Sequence, residues 1–126
     1  MIANLPPAPR VAVFRALQLG DLLCATPALR MLRRGLPRAE ITLVGLPSAR
    51  ELCARLRGLV DRFEPFPGAP GLPELAPDPA AWPGFVARMR SRRFDLAIQL
   101  HGTGEHSNQV VRALGAARVA GFVPDG

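Results

Sequence analysis

Short apolar runs alternate along the chain with longer segments whose apolar residues recur at every third or fourth position. The first run, residues 10–15, is rich in β-forming residues and predicts a buried strand of a parallel sheet. The same criteria predict four more strands, at residues 39–45, 60–66, 94–100 and 118–122. Pro65 places the third strand near an edge of the sheet, because proline cannot donate a ladder hydrogen bond.

A helical period follows the first strand. Asp21 stands at the expected N-cap, and Gly35 follows an arginine-rich last turn. The apolar stripe between them consists of Leu22, Ala25, Leu29, Leu32 and Leu36. Pro27 interrupts this stripe, so the helix either kinks there or begins with Thr26 as its cap and Pro27 in its first turn. Further helices are predicted at residues 48–56, 80–93 and 105–114, the last of them ended by Gly115.

Strands that alternate with helices predict an α/β fold, a Rossmann-like, doubly wound parallel sheet with right-handed crossovers. With 126 residues and 48% hydrophobic content the chain can bury one core, so we expect one domain over residues 1–126. Residues 65–83 contain seven prolines and predict a loop without regular structure. This loop is either a linker or a lid that contacts substrate.

The net charge of +6 comes from 16 basic residues, all of them arginine. An arginine-rich surface attracts the phosphates of nucleic acids, nucleotide sugars or anionic membranes. Aromatic residues make up only 6% of the chain and no nucleic-acid-binding motif is present, so we expect no nucleic-acid partner. No apolar run approaches the roughly 18 residues of a membrane span, and the N-terminus lacks signal-peptide features, which predicts a cytoplasmic protein.

Several common cofactor and metal motifs are missing. Cys24 and Cys53 lie in predicted helices without metal-ligand spacing, which predicts buried thiols and no metal site. The Gly-x-Gly-x-x-Gly fingerprint does not follow the first strand, which disfavours a nicotinamide enzyme. The chain has no lysine, which excludes a phosphate-binding loop of the Gly-Lys-Ser/Thr type.

Ligands of doubly wound sheets bind beyond the carboxyl ends of the strands, near the point where the strand order reverses. Residues 16–21, after the first strand, and residues 101–104, after the fourth, are the candidate segments. Gly20 lets the backbone come close to a ligand, and Asp21 can accept a proton from a sugar hydroxyl. Aspartate is also among the most favoured N-cap residues, so the residues alone leave both roles of Asp21 open.

The remaining candidates have equally ordinary alternatives. His101 can act as an acid, a base or a hydrogen-bond donor, or be structural. Thr103 can contact a hydroxyl or cap the next helix. Arg15 can bind a phosphate or carboxylate, or pair with Asp95.

Together these segments resemble glycosyltransferase family 9, the ADP-heptose:lipopolysaccharide heptosyltransferases. The likeness rests on Val-Ala-Val-Phe-Arg at residues 11–15, and on Leu-Gly-Asp at 19–21 followed by Thr-Pro-Ala-Leu-Arg at 26–30. Residues 94–102 and 114–122 extend it over nearly the whole chain. The spacing from Gly-Asp to Thr-Pro-Ala-Leu is the most specific part, since the other segments are typical of Rossmann-like folds in general.

The resemblance implies the N-terminal, acceptor-side half of a two-domain glycosyltransferase of the GT-B type. It implies an inverting transfer of heptose or a related sugar from an ADP-sugar to a lipopolysaccharide core or related glycolipid, with Asp21 as the catalytic base. Acceptor contacts are then expected from Arg15, Gln18, Gly20, His101 and Thr103. The ADP-heptose donor would bind mainly to a second domain outside this chain, with no further cofactor, so the chain alone is expected to be inactive. The basic residues imply peripheral contact with the cytoplasmic face of the inner membrane.

Two other classes compete with this interpretation. One is a non-catalytic, truncated or remnant Rossmann-like binding module. The other is a flavodoxin-like or receiver-like domain, and a receiver is disfavoured because the chain lacks lysine and an acidic cluster after the first strand.

Overall fold

The computed structural model describes residues 5–16, 25–56, 58–69, 76–100 and 107–121. Within these residues five strands form one sheet. The strands are β1 Arg10–Phe14, β2 Glu40–Gly45, β3 Arg62–Pro65, β4 Leu96–Gln99 and β5 Arg118–Ala120. Each lies inside its predicted range and is shorter by one to three residues.

The described helices are α1 Thr26–Gly35, α2 Arg50–Arg55, α3 Trp82–Ser91 and α4 Ser107–Ala113, with a 3₁₀ turn at Pro47–Ala49 before α2. The placement of Pro27 in the first turn of α1 is confirmed, because a proline there gives up no helical hydrogen bond. The expectation that Thr26 caps α1 is wrong, whereas Asp21 lies outside the described residues. Ala25 occupies the N-cap position without a side-chain hydrogen bond. Gly115, with φ +75°, follows α4 as predicted.

All strand pairs are parallel, in the order β3-β2-β1-β4-β5, which confirms the predicted α/β Rossmann-like sheet. β1 lies at the centre, with Val13 beside Leu43 of β2 and Ile98 of β4. β3 is an edge strand, as Pro65 predicted.

Two apolar cores cover the two faces of the sheet. Val11 and Val13 of β1 pack with Leu29 of α1 and Cys53 of α2 on one face. Ala12 and Phe14 of β1 pack on the other face with buried residues of α3 and α4 and with Leu114, which follows α4; the helix residues are Phe85, Met89, Val110 and Val111. The first two helices and the last two helices therefore lie on opposite faces, which makes the sheet doubly wound.

Cys53 is buried in the first of these cores. Burial raises the pKa of its thiol to about 11, against the lowering effect of the nearby Arg50 guanidinium. The prediction of a buried thiol is confirmed for Cys53, whereas Cys24 lies outside the described residues.

A buried carboxylate joins α3 to the edge strand. Glu64 of β3 accepts a hydrogen bond from Arg92 Nη2, and its Oε2 lies 3.7 Å from Arg88 Nε. The sequence gives little sign of this pair, because glutamate in an edge strand usually faces solvent.

Asp61 directly precedes β3 and connects it to β2 and α1 at the amino edge of the sheet, the side where the strands begin. Its Oδ2 accepts hydrogen bonds from the Ile41 N–H of β2 at 2.8 Å and from Arg33 Nη2 of α1 at 2.7 Å. Partial burial would raise the pKa of Asp61, but the Ile41 hydrogen bond and the Arg33 guanidinium outweigh it and lower the pKa below 3.8. Asp61 thus stabilises the fold in its charged form.

Asp61→Asn should therefore destabilise the protein at neutral pH by about 1 kcal/mol, less than a fully buried charged hydrogen bond because the carboxylate is 42% exposed. Since folding lowers the pKa, the contribution is complete above pH 3.8 and is lost as the pH falls through the folded-state value. Urea unfolding at pH 7 and in acid should show the difference between wild type and variant shrinking in acid. Glu40→Gln, which breaks the exposed 3.2 Å pair with Arg62, serves as the control and should cost less. An equal penalty for Asp61→Asn in acid would contradict this assignment.

Candidate functional site

The strand order reverses between β1 and β4. From β1 the chain continues through α1 on one face to β2, and from β4 it continues through α4 on the other face to β5. The helices that follow these adjacent strands lie on opposite faces, a topology that places a crevice outside the carboxyl ends of the two strands. This switch point is where a ligand of such a sheet is expected.

Arg15 crosses the mouth of this crevice. Its backbone N–H donates to the Val44 carbonyl at 3.0 Å, which continues the β1–β2 pairing past the end of the strand. Its guanidinium Nη1 donates to the Leu100 carbonyl, just beyond β4. The Leu100 N–H in turn donates to the Phe14 carbonyl at 3.0 Å. A half-buried positive charge therefore spans the carboxyl ends of β1 and β4.

Asp95 lies at the opposite edge of the sheet. Its Oδ2 accepts a hydrogen bond of 2.8 Å from the Arg10 N–H at the start of β1. Arg10 Nη1 also donates to the Arg92 carbonyl at 2.9 Å, which links the start of β1 to the end of α3. The alternative in which Arg15 serves to pair with Asp95 therefore loses its basis, because five residues of β1 separate the two edges.

Gln99, the last residue of β4, is buried beside Phe14 at the crevice. Gly121 follows β5 and packs closely on it, since a Cβ on Gly121 would lie 2.7 Å from Gln99 Cβ. Because glycine has no Cβ, position 121 leaves the room that Gln99 occupies.

Among the predicted site residues, Arg15 is the one that the structure describes. Asp21, Gln18, Gly20, His101 and Thr103 lie outside the described residues, so their roles stay predictions. Along the chain they belong to the connections that follow β1 and β4. Within the described ranges, no group of three or more His, Cys, Asp or Glu side chains could hold a metal ion.

Comparisons with known proteins give a match in fold. No protein-family model matches the chain, and no curated protein matches it either. A solved glycosyl transferase family 9 structure from Veillonella parvula DSM 2008 superposes with a TM-score of 0.71 at 17% identity, over 96% of this chain and 37% of that one.

Two structures of the E. coli heptosyltransferase WaaC match as well. The structure with ADP gives a TM-score of 0.60 at 16% identity, over 88% of this chain and 34% of that one. The structure with ADP-2-deoxy-2-fluoro heptose gives a TM-score of 0.61 at 18% identity, over 90% of this chain and 35% of that one. The chain thus spans about a third of the length of these structures. The resemblance to family 9 that the sequence predicted is confirmed at the level of the fold.

The close packing of Gly121 on Gln99 generates a test. Gly121→Ala should destabilise the protein by about 1–3 kcal/mol, because the added methyl group must push Gln99 away from the crevice. Gly35→Ala is the matched control: no atom lies within 4 Å of the new Cβ, and alanine favours the helix by up to about 1 kcal/mol. Thermal unfolding of both variants measures the difference. Equal melting temperatures for the two variants would show that β5 can move away from Gln99 without cost.

Proposed function

We propose that this chain is the acceptor-side domain, over residues 1–126, of an inverting glycosyltransferase of the heptosyltransferase type. The enzyme transfers heptose or a related sugar from an ADP-sugar to a lipopolysaccharide core or related glycolipid. The observation that carries the proposal is the family 9 glycosyltransferase fold, matched over 88–96% of the chain. The Gly20–Asp21 pair supports it, because along the chain it belongs to the connection that follows the central strand.

Asp21 is the proposed catalytic base. It takes the proton of an acceptor hydroxyl as that oxygen attacks the anomeric carbon of the donor sugar. The bond from this carbon to the diphosphate oxygen breaks, ADP leaves with the electron pair, and the configuration at the anomeric carbon inverts. A diphosphate needs positive charge more than a proton donor as it leaves, so one base suffices.

The other predicted residues position the acceptor. Arg15 supports this role most directly, since its guanidinium lies across the carboxyl ends of β1 and β4. There it supplies positive charge to an anionic glycolipid. Gln18, Gly20, His101 and Thr103 complete the proposed acceptor contacts in the two connections that start from this edge.

The donor is an ADP-sugar, bound mainly by a second domain outside this chain. The solved WaaC structures support this choice, since they hold ADP and an ADP-heptose analogue. No further cofactor and no nucleic acid take part in the proposed reaction.

We place the protein in the cytoplasm, in peripheral contact with the inner membrane. Among the described helices, none is long and apolar enough to cross a membrane. Met31 is 73% exposed on α1, and the exposed Arg30 and Arg34 lie on the same helix. An apolar side chain near two cations suits the surface of an anionic bilayer.

Asp21→Ala in the full-length enzyme should lower kcat by about 10²- to 10⁴-fold and leave the melting temperature unchanged, because a base acts on the transition state and not on the fold. Gln18→Ala is the control in the same segment, and it should mainly raise the KM for the acceptor. ADP release measured against acceptor concentration separates the two effects. Near-normal turnover of Asp21→Ala would sink the assignment. A variant that chiefly melts earlier would identify Asp21 as a helix cap, and acceptor binding without transfer in the wild type would identify a non-catalytic module.

A further inference from the structure

The two ends of the proline-rich segment pack against each other at the carboxyl edge of the sheet. The Phe66 N–H donates to the Gly45 carbonyl at 2.7 Å, and the Asp78 N–H donates to the Pro67 carbonyl at 3.3 Å. Gly68 has a φ of +92°, and a Cβ there would lie 2.5 Å from the Ala76 carbonyl oxygen. The described ends of the segment, residues 65–69 and 76–83, therefore form a closely packed wall, and a contact of this segment with substrate stays a prediction.

A cavity of about 400 Å³ lies between this wall and the first turns of α3 and α4. Its volume falls within the range of roughly 300–1,000 Å³ that is usual for small-molecule sites. Its lining includes Gly68, Asp78, Trp82, Gln109 and Val110. It therefore opens at the same edge of the sheet as the crevice between β1 and β4.

A series of aromatic ring contacts connects the wall of the cavity to the central strand β1. The half-buried Trp82 packs on Phe85 with ring centroids 5.6 Å apart. Phe85 contacts Phe66 at 6.2 Å, and Phe66 contacts Phe14 of β1 at 5.0 Å, both edge to face. Trp82 is thus held in place before any ligand arrives.

Two polar side chains line the cavity, and the backbone positions one of them. Asp78 Oδ1 accepts a hydrogen bond of 3.3 Å from the Ala81 N–H, which orients the carboxylate at the start of α3. Gln109 lies exposed in the first described turn of α4 and carries both a donor and an acceptor. Val110 is buried beside it. The cavity combines an aromatic surface with a carboxylate and an amide.

We propose that this cavity binds a sugar ring of the acceptor oligosaccharide, an inference that rests on the proposed function and extends it to a named subsite. A sugar ring has an apolar C–H face, which suits Trp82, and hydroxyls that donate to Asp78 and exchange hydrogen bonds with Gln109. A nucleotide fits less well. The described lining contains a carboxylate and no arginine, so it repels phosphate.

The chain contains one tryptophan and no tyrosine, so its intrinsic fluorescence reports on Trp82. Titration of the 126-residue chain with delipidated lipopolysaccharide core oligosaccharide should give a saturable change in this emission. ADP at the same concentrations should give none. Saturation by ADP in place of the oligosaccharide would overturn the ligand class.

Calorimetry on variants then locates the site. Gln109→Ala should weaken oligosaccharide binding about fivefold. Asp78→Asn keeps an oxygen for the Ala81 N–H and should weaken binding about tenfold, because it removes the charge. Trp82→Leu should weaken it by about tenfold or more.

Two controls separate binding from stability. Arg112→Ala changes an exposed residue of α4 outside the cavity lining. Val86→Ala shortens a side chain of α3 that packs against the core and is also outside the lining. Both should bind the oligosaccharide like the wild type. If the three cavity variants bind no more weakly than these controls, the sugar does not bind in this cavity.

Asp21→Ala distinguishes this inference from the proposed function. If it abolishes transfer in the full-length enzyme while the cavity variants bind the oligosaccharide normally, the subsite fails and the proposed function stands. If the full-length enzyme transfers no sugar but Trp82 and Gln109 still govern oligosaccharide binding, the proposed function fails and the subsite stands.

Discussion

The structure depends on the position of β1, which is paired on both sides and covered on both faces. Its residues from Val11 to Phe14 are 0% exposed, and parallel partners flank them on either side. A strand buried on both faces must be apolar throughout, so polar groups that meet a ligand are found beyond its ends. The helices that follow β1 and β4 cover opposite faces of the sheet, and a crevice is expected where the strand order reverses between them.

The same central strand supports both candidate subsites. Arg15 follows its carboxyl end, and the guanidinium of Arg15 donates a hydrogen bond to the Leu100 carbonyl just beyond β4. Its last residue, Phe14, begins the line of rings that runs through Phe66 and Phe85 to Trp82. The crevice and the proline-walled cavity therefore both lie next to this strand.

The apolar pattern was enough to predict the five strands, their alternation with helices and the edge position of β3. These features follow from local burial and from the chemistry of proline. The cap of α1 was placed one residue too late, at Thr26, because Ala25 offers no capping side chain to recognise. The hydrogen bonds of Glu64 and Asp61 join residues 20 to 28 positions apart, and no local pattern reveals such pairs. The cavity beside Trp82 escaped prediction for the same reason, since three separate segments line it. Of the predicted site, Arg15 is located, and Asp21 stays a prediction that the family resemblance motivates.

We propose that ligands bind at the carboxyl edge of the sheet, where the strand order reverses. The sharpest test is amide chemical-shift mapping of the isotope-labelled chain during titration with core oligosaccharide. The largest shifts should then fall on the amides of Arg15, Leu100 and Gln109. Shifts concentrated at the amino edge, on Arg10, Glu40 and Asp95, would contradict it.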